Sequence, residues 1–216
     1  MDARKQSEML ERLRVHLANK TTDLSAYALK VPAEHYVSDD QLALEVEALF
    51  KQRPILVALT PHIPNEGDYL THEVIDTSLL LVRDSSGLAR AYINACRHRG
   101  ARLAEGKGTK ASFSCPFHAW NWGLDGRIIA RPNSHDGFAQ ADARYDQLLE
   151  LPCYETAGLI FVLLKGDDIE GKVDELMGAS LSDIASFDIA NTQYIDSRVT
   201  ELDCNYKFFI DGFAET

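Results

Sequence analysis

The chain is poor in cysteine, with four in 216 residues, and it holds only two tryptophans and three methionines. So few thiols exclude a scaffold stapled by disulfides. Apolar runs such as Leu159–Leu164 are short, far below the length of a membrane-spanning helix. The start, Met1 to Gln6, has no apolar stretch of a secretory leader. A cytoplasmic protein with no membrane contact is therefore expected. Basic residues are the minority, 22 Lys and Arg against 33 Asp and Glu, for a net charge of −11. That balance argues against nucleic acid as a partner, because neutralising phosphates needs the opposite sign. Repeats and low-complexity tracts are missing too, while 45% hydrophobic residues suffice for a core.

Against this sparse background, two of the four cysteines fall in short boxes that also carry histidine. Cys96-Arg97-His98 is followed, after sixteen residues, by Cys115-Pro116-Phe117-His118. Two thiolates and two imidazoles in the order C-x-H and C-x-x-H suit a two-iron cluster with sulfur on one iron and nitrogen on the other. Gly100 lets the first loop turn without a Cβ clash, and Pro116 stiffens the second. The competing reading is a structural zinc site, which also accepts Cys₂His₂. Zinc needs all four ligands on one ion and usually takes the second pair from a helix, whereas these boxes are flanked by strand-like runs, Leu88 to Ala95 and Ile128–Ile129. Cys153 and Cys204, at unrelated positions, are expected to be buried structural thiols.

The stretches Cys96-Arg97-His98-Arg99-Gly100 and Cys115-Pro116-Phe117-His118-Ala119-Trp120 resemble the Rieske [2Fe–2S] domain of ring-hydroxylating oxygenase large (alpha) subunits. Respiratory Rieske proteins carry an extra cysteine in each box; here those places hold Ala101 and Phe117, which leaves the oxygenase or ferredoxin branch. One departure is Ala119, where the family commonly has glycine. Trp120, two residues after the second histidine, has no hydroxyl to donate to the cluster sulfurs. The midpoint potential is therefore expected in the lower part of the Rieske range, nearer about −150 than +300 mV.

The patterning implies an α+β chain in three parts. Residues 1–52 read as a two-helix N-terminal arm: Met9, Leu10, Leu13 and Leu17 share one face of a helix over Asp2–Lys20, and a second begins at Ser38, with Gln41 at the capping-box spacing. Residues 53–165 read as the all-β Rieske domain, with strands at Ile55–Leu59, Glu73–Val82, Leu88–Ala95 and Leu159–Leu164. Hairpin turns are expected at Asp84–Gly87 and Gly123–Gly126. Residues 166–216 read as the beginning of an α+β catalytic domain. There, one helix carries Val173, Leu176, Met177, Leu181 and Ile184, and a strand follows from Gln193 to Leu202. Arg97, Arg99, Arg102, Lys107 and Lys110 gather around the boxes, either to steer an acidic electron donor or to brace the protein's own loops or subunit contacts.

The last stretch, Asn205 to Thr216, resembles the helix that leads into the mononuclear iron site of these oxygenases. Asn205, Lys207, Asp211, Phe213 and Glu215 match in place or type; Tyr206 and Gly212 depart. The resemblance implies that Glu215 bridges to His118 of a neighbouring subunit and couples the two iron centres. No mononuclear iron ligand set is found, since the five remaining histidines are scattered. The resemblance thus implies the electron-transfer part of an enzyme that hydroxylates a small organic molecule, commonly aromatic, with O₂. A ferredoxin or flavin reductase would supply electrons, and the mononuclear Fe(II) ligands would lie outside this chain. A homotrimer, with or without a small beta subunit, is implied as well. The alternative is a stand-alone Rieske ferredoxin-type carrier.

Overall fold

The computed structural model describes residues 3–24, 29–133 and 143–214. Contacts divide the chain into two compact units. One joins its two ends, Met1–Gln41 and Leu202–Thr216, and the other is Leu42–Glu201.

In the first unit, α1 (Ala3–Asn19) and a short α2 (Glu34–Val37) precede the start of α3 (Asp39–Glu45). Ser38 caps α3, its Oγ accepting the Gln41 backbone N–H at 3.2 Å. Met9, Leu10, Leu13 and Leu17 all lie on α1 and are all more than half exposed.

The larger unit is layered. Strands β1 (Ile55–Leu59), β2 (Asp68–Val74), β3 (Thr77–Arg83), β4 (Ala89–Ile93), β5 (Lys107–Thr109), β6 (Phe113–Ser114), β7 (Asn121–Trp122), β8 (Ile128–Ala130), β9 (Glu150–Leu151), β10 (Cys153–Thr156) and β11 (Leu159–Val162) form three antiparallel sheets. Their orders are β1-β11-β10, β5-β2-β3-β4-β9 and β6-β7-β8. The organising element is β3, where alternation sends Leu79 and Leu81 to one face and Leu80 and Val82 to the other. All four are fully buried. Leu79 and Leu81 pack against Val57, Ile160 and Val162 of the first sheet. Leu80 and Val82 pack toward Phe113, Trp120, Trp122 and the two box cysteines. The cluster boxes therefore sit on the face of the central sheet opposite the β1-β11-β10 sheet. Beyond that first sheet, Ile169 and Val173 of α4 (Ile169–Met177) close the stack against Phe161 and Leu163.

The turn at Asp84–Gly87 forms as expected and is held by a buried carboxylate. Asp84 accepts the Ser86 and Leu88 backbone N–H groups and the Ser86 hydroxyl, and pairs with Arg90. Burial raises this carboxyl, but the Ser86 hydroxyl, Arg90 and the two backbone donors outweigh it and hold the group at about 2. The unfolded value is about 3.9, so the stabilisation is full above that pH and is lost as pH falls toward 2. Urea midpoints should therefore drop between pH 5 and 2 by the equivalent of about 2 kcal/mol, and Asp84→Asn should flatten that dependence.

Three expectations need correction. The run Glu73–Val82 is two strands, because a two-residue turn at Ile75–Asp76 reverses the chain with Ile75 at φ +55. The turn lacks the usual Gly or Asn, so hydrophobic patterning ran straight through it. The helix after Gly166 is two helices, α4 and α5 (Ser180–Ala185), since Gly178 takes φ +49 and ends the first. No strand forms over residues 193–202: Ile195 and Val199 are about nine-tenths exposed, and no neighbouring edge pairs with them among the described residues. The chain then enters α6 (Tyr206–Ala214), where the Asn205 side chain accepts the Lys207 N–H at 3.0 Å.

Candidate metal centre

Each box sits on a loop of the same backbone design. In the first, which follows β4, Cys96 N–H donates to Ala101 O and Gly100 N–H returns to Cys96 O, both at 2.8 Å. In the second, between β6 and β7, Cys115 N–H donates to Trp120 O at 2.8 Å and Ala119 N–H returns to Cys115 O at 2.9 Å. Each is an α-turn closed four residues after its cysteine, with a left-handed residue at the closing position. Gly100 has φ +73 and Ala119 φ +56.

The turns bury both cysteines and turn both histidines outward. Cys96 and Cys115 are 2% and 4% exposed, whereas His118 is exposed and His98 half-buried. The imidazole centroids lie 4.7 Å apart. The Cys96 thiol is pushed up by burial, and the adjacent Cys115 adds to the effect, while the His98 backbone N–H and the Trp122 indole pull it down. His98 is shifted toward its neutral form by burial first, then by His118 and Arg99, and neutral imidazole is the form that ligates a metal. Among the described residues no three His, Cys, Asp or Glu side chains converge as a single-ion site requires. The donors stand instead as a thiol pair and an imidazole pair, a set that suits two metal ions with different ligands rather than one zinc.

Residues 53–155 match the family of the Rieske [2Fe-2S] domain. This segment is a Rieske domain. The chain is 30% identical over 190 residues to the carnitine monooxygenase oxygenase subunit of Escherichia coli K12, an alignment covering 87% of this chain and 50% of the relative. It is 31% identical over 188 residues to the glycine betaine monooxygenase oxygenase subunit of Chromohalobacter salexigens, covering 86% and 41%. Among solved structures, the apo form of the quaternary ammonium Rieske monooxygenase CntA aligns with a TM-score of 0.78 and 27% identity, over 86% of this chain and 54% of that one. The chain is thus homologous to Rieske oxygenase large subunits and spans about half the length of the curated relatives it matches.

In this Rieske domain, the glycine commonly found after the second histidine has a physical reason, because the residue there closes the turn at positive φ. Ala119 adopts that conformation at a cost of about 1–2 kcal/mol. Its side chain is exposed, so Ala119→Gly removes strain without emptying a packed site. Allowing for the unfolded-state entropy of glycine, the cluster-loaded chain should gain about 1 kcal/mol and melt about 2–4 °C higher.

The basic residues near the boxes are mostly occupied within the Rieske domain. Arg97 lies over the Tyr145 ring and reaches Arg144 O at 3.5 Å. Arg102 pairs with Glu73 at 3.1 Å, Lys107 covers Tyr194, and Lys110 lies near Tyr69 and Phe113. These contacts favour bracing for four of the five. Arg99 is exposed beside the histidines. Of the other cysteines, Cys153 is half-buried, its thiol pushed up to about 12 by burial and then by Glu155. Cys204 is exposed, which corrects the expectation that both are buried. Glu215 lies outside the described residues. Asp211, which matches beside it, accepts the Tyr36 hydroxyl at 2.6 Å and ties α6 to α2.

Two contributions to the site had no signal in the sequence, the anchoring by Asn94 and the stacking of Trp120 on His98. Asn94 is 2% exposed. Its Oδ1 accepts the N–H groups of Leu103 and Ala104 at 3.0 and 3.3 Å, and its Nδ2 donates to Ala104 O at 2.9 Å. It thereby fastens the segment that follows the first box. Trp120 stacks flat on the His98 ring, with centroids 4.8 Å apart and planes 8° from parallel.

Proposed function

We propose that Cys96 and Cys115 hold the inner iron and His98 and His118 the outer iron of a [2Fe–2S] cluster, in the electron-entry part of a Rieske monooxygenase. The observation that carries this reading is the pairing of buried thiols with outward imidazoles on two loops of one backbone design. When bound, the cluster supplies reversible one-electron transfer. The chain's residues provide its setting. Burial of Cys96 and Cys115 keeps water from the sulfur side, which helps set the potential, and the ring edges of His98 and His118 offer the route in and out. Arg99 gives an acidic donor a positive point of approach.

The relatives are named for carnitine and glycine betaine. The substrate class proposed is accordingly a quaternary ammonium compound, in place of the aromatic ring suggested by the family resemblance. A ferredoxin or flavin reductase is the proposed donor, and a mononuclear Fe(II), with ligands outside this chain, is the proposed acceptor and the meeting place of O₂ and substrate. Glu215 is proposed to bridge to His118 of a neighbouring subunit in a homotrimer, with or without a small beta subunit. The proposed setting is the cytoplasm; no helix among the described residues is long and apolar enough to cross a membrane. The functional division kept is an arm to residue 52, the cluster domain over 53–165 and the start of a catalytic domain from 166. The compact unit Leu42–Glu201 crosses both borders, so they mark function rather than packing.

Reconstitution with iron and sulfide should load one [2Fe–2S] cluster per chain. One-electron reduction should then give an EPR signal with nitrogen coupling from two imidazoles, and a midpoint nearer about −150 than +300 mV. Stoichiometric zinc binding without that signal, or a clearly positive midpoint, would contradict the reading.

A further inference from the structure

We propose that Arg131 is a positioning residue for the cluster, acting through a stack of guanidinium, indole and imidazole in which Trp120 lies between Arg131 and His98. The inference rests on His98 being a cluster ligand, as proposed above.

Three contacts build the stack. The Arg131 guanidinium carbon lies 4.5 Å from the Trp120 ring centroid, and Trp120 lies nearly parallel to His98 at 4.8 Å. Asp146 fixes the cation by an ion pair with Arg131 Nη2. The two middle members are shielded from water, Trp120 being 3% exposed and the Arg131 side chain 11%, while Asp146 at the outer end is 43% exposed. A cation over the face of an indole is attracted by the ring quadrupole, more strongly where water is excluded. The indole in turn covers one face of the imidazole and holds its plane.

Two effects follow for the cluster. The first is geometric: the His98 ring is held by stacking rather than left to rotate about its Cβ–Cγ bond, so its approach to the iron is preset. The second is electrostatic. Reduction adds an electron, and a positive charge two rings away in a dry setting favours the reduced form. Asp146 carries the opposite charge on the same cation and offsets part of that preference. Arg131 and Asp146 therefore act on the midpoint in opposite directions, a pattern that generic loss of packing would not produce.

The test compares Arg131→Gln, Arg131→Lys and Asp146→Asn in the cluster-loaded chain, reading iron and sulfide content, midpoint potential and the imidazole nitrogen couplings. Arg131→Gln should lower the midpoint, shifting the oxidised-to-reduced ratio at the parent midpoint by about threefold to tenfold, where tenfold is 59 mV for one electron. Asp146→Asn should shift it the opposite way. Arg131→Lys, which keeps the charge but not the plane, should restore most of the midpoint while the His98 coupling stays altered. If Arg131→Gln fails to load a cluster, Asp146→Asn decides alone, by a rise or its absence. Unmoved midpoints, or shifts of the same sign, at full cluster content overturn the stack and leave the ligand reading intact. A parent chain that takes up no cluster overturns the ligand reading, and this inference with it.

Discussion

Alanine in place of Cys115 is expected to leave a folded but colourless chain. The substitution removes one of the two proposed sulfur donors, and the remaining thiol and imidazoles would not complete both irons of the proposed cluster. Iron content after reconstitution should fall to background and the visible absorption should vanish. The fold should survive, because the core between the first and central sheets draws on Val57, Leu79, Leu81, Ile160 and Val162 and includes neither loop. The far-UV circular dichroism of the β-sheets should therefore persist, with loosening confined to the small β6-β7-β8 sheet. Full iron loading in this variant would mean that Cys115 is not a ligand.

Asn94→Ala should produce the largest loss of stability among single substitutions near the boxes. The change strips partners from two buried backbone N–H groups and one carbonyl at Leu103 and Ala104. Each buried group left unsatisfied costs about 1–3 kcal/mol, so a total of about 3–5 kcal/mol is expected, read as a shift in the urea or thermal midpoint. The freed segment follows the turn that Cys96 and Ala101 close. Iron should consequently be lost faster to a chelator in this variant than in Ala119→Gly, although neither residue is a ligand. Asn94→Asp should not rescue it, since it replaces the donor to Ala104 O with a buried charge.

The boxes were legible in the sequence because metal chemistry confines residue types and spacing far more tightly than packing does. Cys96, His98, Cys115 and His118 fall where two matched turns bring thiols inward and imidazoles outward, and the family match covers them. The longer strands were legible for a different reason. The continuous apolar runs of β3 and β11 reflect burial on two faces, and short apolar runs bounded by turn residues are the usual mark of a buried strand. What stayed hidden depended on contacts distant in sequence. Strands of two or three residues, such as β6, β7 and β9, are too short to show a period. The Ile75–Asp76 turn carried neither Gly nor Asn and put Ile75 at its left-handed position, and the apolar positions of residues 193–202 looked like a strand though nothing among the described residues pairs with them. Asn94 and Arg131 were invisible for the same reason: their roles come from partners 9 to 15 positions away, and an isolated Asn or Arg in a sequence does not announce such partners.

The shared circuit of the two loops leaves register as their main difference. Both run from cysteine to a left-handed residue four places on and a carbonyl five places on, yet histidine stands two places after Cys96 and three after Cys115. On a turn that winds like a helix, one residue is roughly 100° of rotation. A single step therefore re-aims the imidazole while the thiol stays where it was, and one backbone template can serve as either jaw of a clasp. What the two loops hold in common is the closing residue and its left-handed φ, and the side each presents to the other is chosen by where histidine falls ahead of it.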